Sequence, residues 1–317
     1  ARWGPKKTAM LGGWLVGTGW ILASFSPNIS ILTILYGAIG GAGVGIVYGC
    51  PITVVAKWFP HKSGLAIGLT VMGFGISALL IAPLIKTMID NPSIGILNTF
   101  LYLGIAFMVV IMLLAQLLSF PPAGWTPAEI KTAFAATSAE STPDLSRQAM
   151  LKTRNFYALW VIYTIGCLAG LMAIGIASPV GTEVAKLDTT IAALAVSLFA
   201  VFNGLGRPIF GALTDKVGPK HAAIVSFTMI LGASLLIFFL GQGNATVYLF
   251  AFCVLWMCLG GWLAIAPTAT GILFGKKHYA QNYGVVFTAY GAGAILGTLL
   301  SGNIKDITGS YLGAFPI

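Results

Sequence analysis

Nine long apolar runs follow one another along this sequence, most of them parted by only a short polar break. They cover residues 8–25, 31–55, 64–85, 98–120, 156–180, 190–212, 222–240, 246–274 and 284–300. Each is near the ~20 residues that an α-helix needs to cross the hydrocarbon of a bilayer. Inside lipid every backbone N–H and C=O must be satisfied within the protein, so a spanning segment is a helix or a strand of a closed barrel. The runs lack the alternation of apolar and polar residues that barrel strands carry, which leaves helices. The expected fold class is therefore an all-α polytopic membrane protein in contact with the lipid bilayer. Only 8% of the residues are charged, against about a quarter in a soluble domain.

The basic residues sort by position. Arg2, Lys6, Lys7, Lys57, Lys62, Lys131, Arg147, Lys152, Arg154, Lys216, Lys220, Lys276 and Lys277 fall in one alternating set of breaks, and only Lys86, Lys186 and Lys305 in the other. Cytoplasmic loops carry the excess of Lys and Arg, so the first set is expected on the cytoplasmic side of a plasma (inner) membrane. The net charge of +9 is thereby explained without a nucleic-acid partner. The one long break, residues 121–152, is rich in Pro, Ser, Thr and Ala and reads as a cytoplasmic linker between residues 1–120 and 153–317. Cys50, Cys167, Cys253 and Cys258 all lie in apolar runs and form no CxxC pair, and His61, His221 and His278 lie in breaks. No metal site, cofactor site or enzymatic nucleophile–base pair is expected. Gly73-Phe-Gly75-Ile-Ser-Ala78 matches a dinucleotide pattern, but it follows no strand and is set aside. The sequons Asn28-Ile-Ser30 and Asn244-Ala-Thr246 are read as idle.

One charge does not sort. Arg207 lies inside an apolar run, the only charged side chain deep in any span. A guanidinium in hydrocarbon is costly, and such a residue usually faces a cavity and has a partner. Its planar fork pairs bidentately with a carboxylate. Asn203 lies four residues earlier, hence on the same helical face, where its amide could donate to a second carboxylate oxygen or to a substrate hydroxyl. Tyr290 and Tyr48 could donate hydroxyls to an anion, and Trp256 could wall the cavity. The alternatives are structural: Arg207 capping backbone carbonyls or pairing with an acid in helices outside this sequence, the tyrosines and tryptophan packing between helices or at interfaces.

The chain also repeats itself. Arg2-Trp-Gly4-Pro5-Lys6 echoes Lys216-Val-Gly218-Pro219-Lys220, both in breaks assigned to the same side. Repeated halves are frequent in secondary transporters. The second copy, Gly211-x-x-x-Asp215-Lys216-x-Gly218-Pro219-Lys220, resembles the loop signature of the major facilitator superfamily, where it joins the second and third helices of each half. Residues 49–75, 202–215 and 282–297 are further similar to the oxalate/formate antiporter family, which includes bacterial monocarboxylate transporters. The resemblance implies two six-helix bundles related by a pseudo-two-fold axis, with Gly211, Asp215, Lys216, Gly218 and Lys220 as a conformational loop motif. The chain starts at Ala1 without Met and stops at Ile317 within a fresh apolar run, so on this resemblance it reads as a fragment lacking helices 1 and 2 and most of helix 12. In the first copy of the motif the acidic position is Ala1, a departure from the pattern.

The same resemblance implies a carboxylate anchored by Arg207. In the oxalate exchanger a lysine of helix 11 supplies a second cation, and the matching residue here is Tyr290. One fixed cation favours one negative charge. The function expected is a functional monomer that moves a small monocarboxylate (lactate, pyruvate or formate-like) by alternating access, as anion exchange or as symport with protons. A dicarboxylate antiporter of the oxalate type is the alternative, and a non-transporting membrane anion sensor is the alternative of another class.

Overall fold

A computed structural model describes Trp3 to Pro122 and Asp144 to Pro316, and no strand occurs among those residues. The long helices are α1 (Gly4–Ala23), α2 (Ile29–Trp58), α3 (Ser63–Asp90), α4 (Gly95–Ala115), α5 (Arg154–Glu183), α6 (Thr189–Leu240), α7 (Ala245–Phe274) and α8 (Tyr279–Thr308). Six of them, α2 and α4 to α8, are long and apolar enough to cross a membrane. The protein is thus all-α and multi-pass. Of the linker expected over residues 121–152, residues 123–143 lie outside the described residues.

Local chemistry sets the helix ends. The first N–H groups of a helix have no intrahelical acceptor, and short polar side chains supply one. Asn28 accepts from Ile31 N–H at 2.9 Å, Thr153 from Phe156 at 3.2 Å, Asp188 from Thr190 at 2.8 Å and Asn244 from Val247 at 3.1 Å. Both sequon asparagines are therefore helix caps.

The 52 residues of α6 would run for about 78 Å at 1.5 Å per residue, more than twice a bilayer core of about 30 Å. Gly218 divides it, with φ 81° and ψ 161°, a conformation closed to most side chains, and Pro219 opens the second limb. Residues 189–217 and 219–240 are accordingly two spans, matching the break read from sequence. Gly4, with φ 69°, and Pro5 open α1 in the same way. The repeated Gly-Pro-Lys is one turn built twice.

Contacts group the described chain into two units, Ala1–Pro60 with Leu80–Glu140, and His61–Leu79 with Ser141–Ile317. The break at residues 121–152 falls near the later boundary, but residues 61–79 pack with the C-terminal residues rather than with the helices on either side of them. In the N-terminal unit α1 lies against α2 and α4. A Cβ on Gly43 would sit 2.5 Å from the Val16 nitrogen, and Trp20 packs on Tyr36, Phe100 and Phe107. In the C-terminal unit α7 is the central helix. Its Trp262 is fully buried against Gly166 of α5 and Phe227 of α6, and its Gly260 and Met257 touch the α6 backbone at Asn203 and Gly206. Lipid offers apolar helices no hydrophobic reason to associate, so close packing at small residues supplies it.

Candidate functional site

The close packing of α3 on α6 creates the site. Gly68 and Gly75 lie one turn before and one turn after Val71 on α3. A Cβ on Gly68 would stand within 3 Å of the Arg207 carbonyl group, and one on Gly75 would stand 2.7 Å from the Gly204 Cα and 3.1 Å from Arg207 Nε. Only hydrogen at both positions lets the α3 backbone reach the arginine. Arg207 is 1% exposed, and its Nη1 donates to the Val71 carbonyl at 2.5 Å. Its Nη2 donates to Asn203 Oδ1 at 2.9 Å, and its Cζ lies 5.2 Å from the centre of the Phe74 ring. Asn203 is itself buried, and its Nδ2 donates to the Trp256 carbonyl on α7 at 3.0 Å. Three helices thus meet through one guanidinium and one amide, and the acceptors of these two arginine bonds are neutral.

The residues singled out from sequence distribute as follows. Arg207, Asn203 and Trp256 are brought into one network. Here Arg207 caps a backbone carbonyl, one of the structural roles open to it, and Asn203 bridges the arginine to α7. Trp256 is 6% exposed and packs on Phe199 with ring centres 5.7 Å apart. Its indole N–H is buried with no hydrogen-bond partner among the described residues, an unusual state for a donor. Tyr290 lies half-buried on α8, stacked on Phe287 with ring centres 5.3 Å apart. Tyr48 belongs to α2 in the N-terminal unit. Val71 and Gly68 were not singled out, and Phe74 and Gly75 entered only through the dinucleotide pattern that was set aside. The seven-residue spacing of the two glycines, about two helical turns, was the available signal.

The loop motif forms a second constellation in the same unit. Asp215 accepts from the N–H groups of Gly64 and Leu65 through its two oxygens, each at 2.8 Å. These donors belong to the first turn of α3, where exposed N–H groups and the helix dipole favour an anion. Gly64 and Gly211 cross here in backbone contact, since a Cβ on either would fall inside the other's carbonyl oxygen. Lys216 and Lys220 are exposed. Lys276, between α7 and α8, is half-buried, and its ammonium is held below the ordinary lysine range by desolvation, with Asp215 acting in the opposite sense. Asp144 accepts from the N–H groups of Lys276 and Lys277 at 2.9 and 3.0 Å. Among the described residues no group of His, Cys, Asp and Glu could hold a metal. A separate cavity of about 290 Å³ is lined by apolar residues such as Ile165, Met172, Phe227 and Ile230, with Ser234 as its polar group. It offers no cation to an anion.

Comparison with known proteins places the chain among membrane transporters. The chain is 29% identical over 299 residues to the oxalate:formate antiporter of Oxalobacter formigenes, covering 93% of this chain and 68% of that protein. It is 27% identical over 325 residues to monocarboxylate transporter 13 of Rattus norvegicus, covering 99% and 70%. The fold is shared with the E. coli fucose:proton symporter FucP at a TM-score of 0.70 and 16% identity, over 98% of this chain and 80% of that one. The protein is thus a membrane transporter and not an enzyme, and it belongs to the Major Facilitator Superfamily, whose family model matches residues 1–298.

Proposed function

We propose that this protein is a secondary active transporter of a small monocarboxylate such as lactate, pyruvate or formate. The observation that carries the reading is the buried guanidinium of Arg207, held at two nitrogens by neutral acceptors. A cation in so desolvated a place favours an anion beside it. A carboxylate supplies the countercharge and accepts in the bidentate geometry that the fork presents, taking the place of the Val71 carbonyl at Nη1. The Trp256 indole N–H is a further donor for a carboxylate oxygen or a substituent, and the Tyr290 hydroxyl is another on the same unit. Bound charge would then permit the rocking step, which yields anion exchange, or symport where a proton accompanies the anion. The relatives named as an oxalate:formate antiporter and a monocarboxylate transporter support a carboxylate. The first of these also supports the rival reading, exchange of a dicarboxylate.

In this proposal residues 1–120 and 153–317 belong to the two bundles of an alternating-access carrier that works as a monomer, and the basic loops and linker face the cytoplasm. On the sparsely basic side, Lys86 pairs with Asp90 and Lys305 with Glu183, which supports the orientation by neutralising two of its three cations. Gly211, Asp215, Lys216, Gly218 and Lys220 serve conformational change rather than substrate contact. The test is uptake of labelled lactate, formate and oxalate into proteoliposomes that hold the full-length protein and unlabelled anion. Uptake of the monocarboxylates without oxalate is expected, with loss of about a hundred-fold in Arg207→Lys, where a point charge replaces the bidentate fork. Full transport by that variant would sink the anchor. Strong oxalate exchange would replace the monocarboxylate reading with its rival, and no uptake would favour a sensor.

A further inference from the structure

Asn203 invites a direct role in substrate binding, because it stands one helical turn from Arg207 on the same face. Its surroundings point elsewhere. The side chain is 6% exposed, its oxygen accepts from Arg207 Nη2 at 2.9 Å, and its nitrogen donates to the Trp256 carbonyl at 3.0 Å. The orientation of the amide is set by these two bonds, since exchanging oxygen and nitrogen would oppose donor to donor at one end and acceptor to acceptor at the other. The backbone around it is fixed as well. A Cβ on Gly260 of α7 would lie within 3 Å of the Asn203 carbonyl, so α6 and α7 touch main chain to main chain at this level.

We propose that Asn203 is a positioning residue for the arginine. Braced on α7, it holds one arm of the guanidinium so that the fork meets an incoming carboxylate in a single orientation. This rests on the reading of Arg207 as the anion's anchor. Two chemical consequences follow. A positioning residue acts on whatever carboxylate the arginine binds, whereas a residue that donates to a substrate hydroxyl acts only on acids that carry one. The residue must also be neutral, because a carboxylate at the same place would become a permanent resident anion and satisfy the charge that substrate is meant to satisfy.

Lactate and propionate differ only in the 2-hydroxyl and make the probe pair. Uptake of each into proteoliposomes would be compared for the wild-type full-length protein, Asn203→Ala, Asn203→Asp and Arg207→Lys. In Asn203→Ala the KM for both acids is expected to rise by the same factor, about ten-fold for one lost charge-assisted hydrogen bond, with the maximal rate changed far less. The isosteric Asn203→Asp keeps an acceptor for Arg207 but sets a second oxygen against the Trp256 carbonyl, so it is expected to abolish uptake of both at neutral pH with a lowered but measurable thermal midpoint in detergent. It serves as the deciding variant if the alanine protein does not fold. A KM effect confined to lactate, or normal uptake of both acids by the aspartate variant, would overturn the proposal. Loss of transport in Arg207→Lys alongside unchanged kinetics in Asn203→Ala would refute the positioning role and spare the anchor. Normal transport in Arg207→Lys would refute the anchor itself.

Discussion

Gly211→Ala is the sharpest perturbation of the α3–α6 contact. The new Cβ would meet the Gly64 carbonyl carbon at 2.7 Å and the Leu65 nitrogen at 3.1 Å, with the Gly64 oxygen closer still. All three are backbone atoms of a helix, so no rotamer change relieves the overlap. The helices must part by about 1 Å to restore ordinary contact. That carries the Gly64 and Leu65 N–H groups from 2.8 Å to about 3.8 Å from the Asp215 oxygens, beyond hydrogen-bond range. Two bonds at a half-exposed site contribute about 1 kcal/mol each, and a loss of about 2 kcal/mol is about thirty-fold in an opening equilibrium. Amide hydrogen exchange at Gly64 and Leu65 reads this directly, since first-turn N–H groups have no other acceptor. Exchange should accelerate about thirty-fold in Gly211→Ala and less in Asp215→Asn, whose amide oxygen still accepts one bond. Wild-type exchange in Gly211→Ala would refute the reasoning.

Three further outcomes follow from other contacts. Gly166→Ala would drive a methyl into the buried indole of Trp262, within 3 Å of three of its ring atoms; overpacking of this kind costs about 1–3 kcal/mol, expected as a lower thermal midpoint in detergent. Asp144→Ala removes the acceptor of two backbone N–H groups, so exchange in residues 275–278 should quicken while Gly64 and Leu65 keep their protection. The Asp188 carboxyl is held below the ordinary range, mainly by the Thr190 N–H, and its folded-state pKa is therefore the lower one. Its capping contribution is complete above the unfolded value near ~4 and is lost as pH falls through the lower folded value. Protection at the start of α6, corrected for intrinsic rates, should hold down to about pH 4 and collapse only below it, and Asp188→Asn should abolish that dependence.

The architecture was legible because hydrophobic length and turn chemistry are local. Nine apolar runs gave the helices, and Gly218-Pro219 marked the break that makes two spans of α6. Arg207 was legible for the same reason, since a charge within an apolar run stands out without any fold. Its partners were not. Val71 is an unremarkable apolar residue whose carbonyl matters only because glycines flank it on the face that meets α6. Asn203 was visible at the correct spacing, but the Trp256 carbonyl that orients it lies 53 residues away, and backbone acceptors have no signature in sequence. The sequon at Asn28 shows the reverse case, where a short motif of one known meaning serves another, capping a helix.

The arginine and the loop motif act on one rigid element. Gly64 and Val71 are seven residues apart on α3, about 10 Å along its axis, and both lie against the first limb of α6. A helix transmits displacement over two turns with little loss, because its hydrogen bonds resist stretching. Whatever withdraws Val71 from Arg207 therefore also strains the two bonds from Asp215 to the first turn. Under the proposed mechanism that agent is the substrate carboxylate, which competes with the Val71 carbonyl for Nη1 and carries the charge that the carbonyl lacks. Binding at the arginine then loosens the contact at the loop without a separate signal between them. Lactate at saturating concentration should accelerate exchange at Gly64 and Leu65 in the wild-type protein and leave it unchanged in Arg207→Lys. Equal exchange with and without lactate in a wild-type protein that transports it would show that the two contacts open independently.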